Sequence, residues 1–281
     1  MTLRLFALTL SAMLAFAGNS LLCRLALKQT AIDPTTFVVI RVMSGALMLW
    51  LVLALRRQSE RLEGSWAGAL ALLANALAFS FAYTHIPAGT GALLLFGAIQ
   101  ISMILYGLTI GERLAPLQCV GMALAIAGLV ALMLPGTDAP PVFYGFLMIL
   151  SGVAWSIYSL LGRGARNPVA ATAGNFIRAA PVALALLLAQ FVMSHIRLDA
   201  AGAAYAVASG AVTSGLGYIL WYAALKQLNV TRAATVQLSV PVLAALGGTL
   251  FLNEPLTVLL VAASALVLAG VSLVILNKRV A

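Results

Sequence analysis

The sequence predicts an all-α polytopic membrane protein with ten transmembrane helices, arranged as two inverted five-helix repeats. Of the 281 residues, 63% are hydrophobic and 8% are charged, whereas a soluble domain has about 25% charged residues. The mean hydropathy of +1.08 agrees with this composition. Residues 64–110 contain a single Asp, Glu, Lys, Arg or His side chain, that of His85, and one membrane span needs about 20 apolar residues. The chain has too few charges for a water-facing surface and has apolar runs long enough to cross a bilayer.

An internal repeat divides the chain in two. The stretch AFAGNSLLCR at 15–24 returns as AWSIYSLLGR at 154–163, an offset of 139 positions, with five of the ten residues identical. A linker rich in turn residues, PGTDAPP at 135–141, lies between the two copies. Repeats of this size indicate a duplicated structural unit. We therefore predict a first five-helix repeat at 1–137 and an inverted second repeat at 138–281, which together form one membrane domain.

Turn residues separate the apolar segments of the first repeat. Asp-Pro at 33–34 begins helix 2, because proline at the first helical position lacks an N–H that would be unpaired anyway. Arg-Arg at 56–57 ends that helix, His-Ile-Pro at 85–87 forms a tight corner, and Gly-Glu-Arg at 111–113 forms the next one. The predicted helices cover 3–27, 34–57, 64–83, 88–110 and 114–134.

The second repeat follows the same plan, with predicted helices at 142–161, 168–193, 200–225, 230–252 and 255–276. Because each repeat has an odd number of helices, the second copy enters the membrane from the opposite side, and a pseudo-two-fold axis in the membrane plane relates the copies. Ten Lys and Arg residues then lie on the side of the termini, and three, Arg24, Lys28 and Arg197, lie on the other side. The positive-inside rule thus predicts that both termini are cytoplasmic.

The sequence lacks the motifs of soluble catalytic sites. It has no Walker A motif, nucleophile elbow or zinc-type cluster, and its connections are short. Cys23 and Cys119 lie in apolar runs without the spacing of metal ligands, and His85 and His195 map to corners. We predict no enzyme activity, cofactor or metal, and the two inverted repeats favour transport. The net charge of +9 reflects topology and implies no nucleic-acid partner, so the expected partners are a small-molecule substrate and the lipid bilayer.

The corner sequences add a family resemblance. With three further residues inserted, GERL at 111–114 falls on NEPL at 253–256, and Ala-Gly at 127–128 falls on Ala-Gly at 269–270. Together with ten helices in two repeats, these motifs resemble the drug/metabolite transporter superfamily of EamA type, over nearly the whole chain. Within that group the chain is most similar to bacterial exporters of aromatic amino acids. The resemblance implies a protein of the bacterial inner membrane with a central cavity lined mainly by helices 1, 3, 4, 6, 8 and 9.

Polar and aromatic residues at helical spacing are candidates for the cavity lining. Asn75, Phe79 and Tyr83 are four residues apart and form one stripe on helix 3. The repeat places a matching stripe on helix 8, made of Ser214, Tyr218 and Tyr222. A buried amide or phenol needs a hydrogen-bonding partner, which a water-filled cavity supplies. Interhelical hydrogen bonds and ring packing are the alternative, and Tyr83 and Tyr222 also suit an interfacial belt. The predicted substrate-binding residues are Phe16, Asn19, Asn75, Phe79, Tyr83, Gln100, Trp155, Tyr158, Ser214, Tyr218, Trp221 and Tyr222.

Charged residues in or near the helices have structural explanations. Arg41 is about seven residues from the start of helix 2 and is expected to snorkel to the interface. Arg178 lies near the bilayer centre, where its partner is a substrate carboxylate or the backbone carbonyls that Pro181 frees. Glu112 and Glu254 are expected to cap the N-termini of helices 5 and 10.

The candidate residues predict export of small neutral or zwitterionic metabolites, above all amino acids with aromatic or other apolar side chains, by alternating access. Large rings suit stacking against a planar solute at about 0.5–1.5 kcal/mol per pair, and the amides suit a zwitterionic end. The two stripes contain no Lys or Arg, which disfavours phosphorylated sugars. No Asp or Glu lies deep in a predicted helix, which favours facilitated diffusion or exchange over proton coupling.

Other functions stay open at this point. The alternatives are a passive channel or pore, a membrane-embedded subunit without transport, and an exporter of drugs or purines. A single chain is sufficient for the predicted function. The close-packing motifs Gly64-xxx-Gly68 and Gly107-xxx-Gly111 leave a dimer open, although packing within one chain explains them.

Overall fold

Helices account for all the regular structure that we describe. The computed structural model describes residues 3–55, 63–111, 113–134, 136, 139–162, 165–193, 196–228, 233 and 236–276. No strand occurs among these residues, which confirms the predicted all-α class. Their ten long helices are α1 (Leu3–Gln29), α2 (Pro34–Leu55), α3 (Trp66–Tyr83), α4 (Ala88–Thr109), α5 (Pro116–Met133), α6 (Val142–Gly162), α7 (Pro168–Val192), α8 (Ala200–Leu225), α9 (Ser239–Leu252) and α10 (Val258–Leu276).

In the described part of the chain, nine of these helices are long and apolar enough to cross a membrane, and α9 is shorter at 14 residues. This confirms a polytopic membrane protein. The predicted start of helix 9 at Val230 lies outside the described residues. Helix α10 begins at Val258 instead of Pro255, because the Thr257 hydroxyl accepts a hydrogen bond from the Leu260 N–H (3.2 Å) and so caps the helix one residue before it starts.

The closely packed helix pairs join one helix from each predicted repeat. Helix α5 packs on α10, α2 on α7 and α4 on α9, while α3 packs on α6 and α1 on α8. Exchanging each helix for its counterpart in the other predicted repeat, five positions along, gives the same set of pairs: α1–α8, for example, becomes α6–α3. In the α5–α10 pair, a Cβ at Gly121 would lie 2.5 Å from the carbonyl oxygen of Gly270. Glycine is needed at that point because a side chain would force the two backbones apart.

Helix α8 changes its winding halfway along. Its central part, Ala208–Leu216, is a π-helix with α-helical turns on either side. This π segment packs against α1 and α2. Gly210 lies so close to the Arg41 carbonyl oxygen and the Ser44 hydroxyl that a Cβ there would overlap both. π-helical turns are frequent at functional sites. The π segment therefore indicates that a functional site lies near α1, α2 and α8.

The exterior of the bundle is apolar. Exposed side chains include Trp50 in α2, Trp66 in α3 and Phe251 in α9. A surface groove of about 350 Å³ on α6 is lined by Phe143, Phe146, Leu147, Ile149, Leu150 and Val153. An apolar surface of this kind is unfavourable in water and favourable in lipid hydrocarbon. The exterior therefore agrees with a multi-pass membrane protein.

Two connections meet at the end of the bundle where α1 carries Arg24, termed the Arg24 end. The Asp33 N–H donates to the Arg197 carbonyl (3.1 Å), and the Arg197 N–H donates to the Asp33 carboxylate (3.0 Å). Asp33 also caps α2 by accepting from the N–H and hydroxyl of Thr36 at 2.9 and 2.6 Å. Burial would raise the pKa of the Asp33 carboxyl, but the hydrogen bonds from Thr36 and Arg197 outweigh burial and hold the pKa below its usual range.

Candidate functional site

Five of the predicted rings form one aromatic cluster. The Tyr218 ring in α8 lies 6.1 Å from that of Phe16 in α1 and 5.1 Å from that of Trp155 in α6, measured between centroids. Trp221 lies 5.8 Å from Phe16, and Tyr158 lies 5.4 Å from Trp155. Edge-on and tilted pairs at these distances are favourable. The cluster joins α1, α6 and α8, so helices from both predicted repeats share one aromatic surface.

Arg41 of α2 lies beside this cluster, and the expectation that it snorkels to the interface is wrong. The residue is 3% exposed. Its Nε donates to the Ser214 hydroxyl at 3.3 Å, and its Cζ lies 5.3 Å from the centroid of the Phe79 ring. The Tyr218 phenol lies beside the same guanidinium. Arg41 stays inside the bundle because α3 contributes a ring and α8 contributes two hydroxyl groups that contact its guanidinium.

The position of Arg41 also changes the electrostatics of the predicted stripes. The stripes have no cation of their own, as the sequence shows, but the neighbouring helix α2 places one against both of them. Phe79 of one stripe and Ser214 of the other both contact Arg41. The Arg41 Nη1 atom is buried and has no hydrogen-bond partner among the described residues.

Two predicted amides have unused donors within the described part of the chain. The Asn19 Oδ1 accepts from the hydroxyls of Ser209 (2.8 Å) and Thr213 (3.3 Å), both in the π segment. Its Nδ2 has no partner among the described residues, and it lies one helical turn from Phe16. Gln100 in α4 is 8% exposed and has no hydrogen bond within the described residues. The described bonds of Asn19 go to the π segment, and within the described residues no bond joins Asn19 or Gln100 to the rings of the aromatic cluster.

Asn75 and two tyrosines make interhelical contacts. The Asn75 Nδ2 donates to the carbonyl and hydroxyl of Ser151 in α6 at 3.0 and 2.9 Å, and the Ser151 hydroxyl lies 3.1 Å from the Asn75 carbonyl. Tyr158 donates to the Thr172 hydroxyl in α7 (3.2 Å), and Tyr222 lies beside the same hydroxyl. These contacts match the alternative reading, in which the polar groups hold helices together.

A second buried arginine, Arg24 in α1, donates hydrogen bonds to three acceptor oxygens. Its Nε donates to Glu254 Oε1 at 2.8 Å, and its Nη1 donates to the carbonyls of Tyr83 (2.7 Å) and Thr84 (3.0 Å). Lys28 approaches the same carboxylate oxygen at 3.7 Å. Tyr83 is fully buried under this group, so it does not belong to an interfacial belt.

Glu254 caps a different helix from the expected one. Its Oε2 accepts from the N–H of Ala88, the first residue of α4, at 2.7 Å. The expectation that it caps helix 10 is wrong, because Asn253 ends α9 in a left-handed conformation (φ 53°) and α10 begins only at Val258, four residues after Glu254. Glu112, the expected cap of helix 5, lies outside the described residues.

Arg178 bonds backbone carbonyl groups, as one of its two predicted explanations requires. Its Nη1 donates to the carbonyls of Glu63 and Gly174, both at 3.0 Å. Backbone carbonyls are therefore its partners, although they are not the ones that Pro181 frees.

Sequence reasoning missed four residues that contact the predicted ones. Arg41 was assigned to the interface, although a cation seven residues inside an apolar helix was the signal that could have identified it. Phe176 of α7 joins the aromatic cluster at 6.3 Å from Tyr218. Ser209 and Thr213 gave no signal, because small hydroxyl residues at these positions are also ordinary packing residues in membrane helices.

Comparison with known proteins identifies the family. A model of the EamA-like transporter family matches the chain twice, over residues 4–134 and 142–276. The chain belongs to the EamA-like transporter family. The resemblance that the corner motifs indicate is thus confirmed at the level of the family. An EamA-type assignment makes transport the general activity, and it leaves the substrate to be argued from the site.

The chain is similar to several bacterial proteins and to one solved structure. An uncharacterized protein of Pseudomonas aeruginosa is 55% identical over 273 residues, covering 97% of this chain and 94% of the relative. A "probable terminal-alkyne amino-acid exporter" of Streptantibioticus cattleyicolor is 29% identical over 217 residues, covering 75% and 71%. A solved crystal structure aligns with a TM-score of 0.69 over 99% of each chain at 19% identity, which shows the fold alone.

Proposed function

We propose that this chain exports small zwitterionic or neutral metabolites, most specifically amino acids with aromatic or apolar side chains, and that it catalyses no reaction. The observation that carries this proposal is the aromatic cluster, in which Phe16, Trp155 and Tyr218 from α1, α6 and α8 meet between the two repeats. An aromatic side chain can stack edge-on or offset against such rings at about 0.5–1.5 kcal/mol per pair. The relative named an amino-acid exporter supports the same substrate class.

The mechanism that we propose is alternating access of two inverted repeats, 1–137 and 138–281. The symmetric set of helix pairs and the twofold match of the family model support it. The positive-inside rule places the termini in the cytoplasm of a bacterial inner-membrane protein and the Arg24 end on the outer side. Labelling of an Asp138→Cys variant from outside spheroplasts tests the orientation, and a position 138 accessible only from the cytoplasm would refute it.

The test of function is reconstitution of the full chain in liposomes with labelled amino acids, purines and sugars. We expect saturable transport of phenylalanine or tryptophan, independent of ATP and of a pH gradient. At substrate concentrations well below saturation, Trp155→Ala should lower the transport rate about tenfold, the effect of losing roughly 1.4 kcal/mol of binding. Trp66→Ala is the matched control, since Trp66 is an exposed tryptophan on the lipid-facing side of α3.

The other outcomes decide between the remaining functions. Flux of all small solutes without saturation would mean a pore, and saturable transport of purines alone would mean a different substrate class. No transport of any solute by folded protein would refute the proposal.

A further inference from the structure

We propose that Arg41 is the binding site for the substrate's carboxylate. This inference rests on the proposed export of amino acids and assigns the group that recognises their shared acidic end. The first observation is that the charge of Arg41 is buried and incompletely compensated, which costs free energy. A buried charge is stable only when other groups compensate it, and Arg41 is 3% exposed with a buried Nη1 that has no hydrogen-bond partner among the described residues.

The other buried or half-buried arginines of the described helices do not share this property. Arg24 bonds a carboxylate and two carbonyls, and Arg178 bonds two carbonyls. Within the described residues, the only ion pairs are those of Glu254 with Arg24 and Lys28. The described carboxylates thus leave Arg41 without a counter-ion.

The neighbours of Arg41 orient it without neutralising it. The Ser214 hydroxyl holds Nε at 3.3 Å, and the Phe79 ring lies 5.3 Å from Cζ. Together with the Tyr218 phenol, these neighbours hold the guanidinium in place, while Nη1 has no partner among the described residues. A guanidinium presents parallel N–H groups that match the two oxygens of a carboxylate, which an ammonium group does not.

The same surroundings fit the remainder of an amino acid. Tyr218 lies beside Arg41 and belongs to the aromatic cluster with Phe16 and Trp155. A substrate whose carboxylate bonds Arg41 can therefore place its ring against Tyr218. This geometry selects for solutes that carry an acidic group next to an apolar ring.

The experiment compares phenylalanine with one analogue that lacks its carboxylate and one that lacks its amino group. Inhibition of labelled phenylalanine transport is measured in liposomes with the wild-type chain, using phenylalanine, phenylalaninamide and 3-phenylpropionate as competitors. Wild-type protein should prefer phenylalanine over phenylalaninamide by about 10- to 100-fold, as expected for a hydrogen bond to a charged group. Arg41→Gln should lose that preference, and Arg178→Gln, the matched control, should keep it.

A second readout separates this inference from the proposed function. Thermal stabilisation by 3-phenylpropionate is measured in detergent for the wild type, Arg41→Gln and Arg41→Lys. Stabilisation of the wild type that Arg41→Gln abolishes supports the carboxylate site even if phenylalanine is not transported. Arg41→Lys should retain only part of it, because the paired N–H geometry is lost. Equal inhibition by phenylalanine and its amide in the wild type, or an unchanged preference in folded Arg41→Gln, would overturn the proposal.

Discussion

Arg24 and Arg41 are two buried arginines in neighbouring helices, and their surroundings differ in one respect. Arg24 is 7% exposed and has an ion pair of 2.8 Å with Glu254. Arg41 is 3% exposed, contacts two hydroxyl groups and a ring, and has an Nη1 without a partner among the described residues. The difference separates a cation that joins helices from a cation that is available to a solute. Burial alone therefore does not reveal the role of an intramembrane charge, whereas the inventory of its partners does.

The largest expected effect is the loss of the Arg24 ion pair. Glu254→Ala leaves Arg24 buried without its carboxylate and removes the acceptor for the Ala88 N–H. Breaking a buried pair from one side costs about 3–5 kcal/mol. Thermal unfolding of the purified protein in detergent should report this loss as a lower midpoint.

The control for that prediction is the double variant Arg24→Gln with Glu254→Gln. Two neutral amides can still bond each other and the Ala88 N–H, so the double variant should lose less stability than Glu254→Ala. An equal or greater loss in the double variant would mean that the charge of Arg24 is not what makes the pair important.

A smaller change of opposite sign is expected at Arg41. Arg41→Met replaces an incompletely paired buried charge with an apolar side chain of similar length, which should stabilise the fold by about 1–2 kcal/mol. Arg24→Met in the same assay should lower stability, because it strands Glu254. If both substitutions destabilise the protein to a similar extent, the contrast between the two arginines fails.

The smallest effect concerns Asp33, a half-buried anion in the connection between α1 and α2 at the Arg24 end. Asp33→Ala removes the cap of α2 and the bond from the Arg197 N–H, at about 0.5–2 kcal/mol. Because hydrogen bonds hold the folded pKa of Asp33 below its usual range, its contribution is complete above the unfolded pKa of about 3.9 and is lost as pH falls through the folded value.

The pH dependence supplies the measurement. Between about pH 6 and about pH 3, the unfolding midpoint of the wild type should fall further than that of Asp33→Asn, whose side chain does not titrate. Parallel curves for the two proteins would show that Asp33 does not link the two connections in solution.

The apolar segments could be predicted because each is a local pattern of composition that the bilayer requires. The aromatic cluster could be predicted in part, since spacing placed Tyr218 and Trp155 on helix faces. Partner choice could not be predicted in the same way. The bond from Ala88 to Glu254 joins residues 166 positions apart, and the burial of Arg41 depends on side chains of α3 and α8. Spacing along one helix contains no information about the helix that packs against it.

The cap at Glu254 illustrates the same limit at a smaller scale. The sequence Asn-Glu-Pro at 253–255 predicts a helix start, and a glutamate at a helix start is a common cap. The left-handed Asn253 delays α10 to Val258 and directs the carboxylate to another helix. The residue type correctly predicted a helix cap, but the backbone conformation determined that the capped helix is α4.

The π segment Ala208–Leu216 bears on which changes in chain length this protein tolerates. A π-helical turn contains more residues than an α-helical turn, so removal of one residue lets the segment rewind as α-helix while the flanking turns keep their orientation. The same deletion inside α3 would rotate everything beyond it by about 100°, one residue's share of an α-helical turn. We expect single-residue deletions to leave folded protein within 208–216 and to abolish it within Trp66–Tyr83. A deletion scan of both helices, read by the yield of monodisperse protein, measures this difference in tolerance.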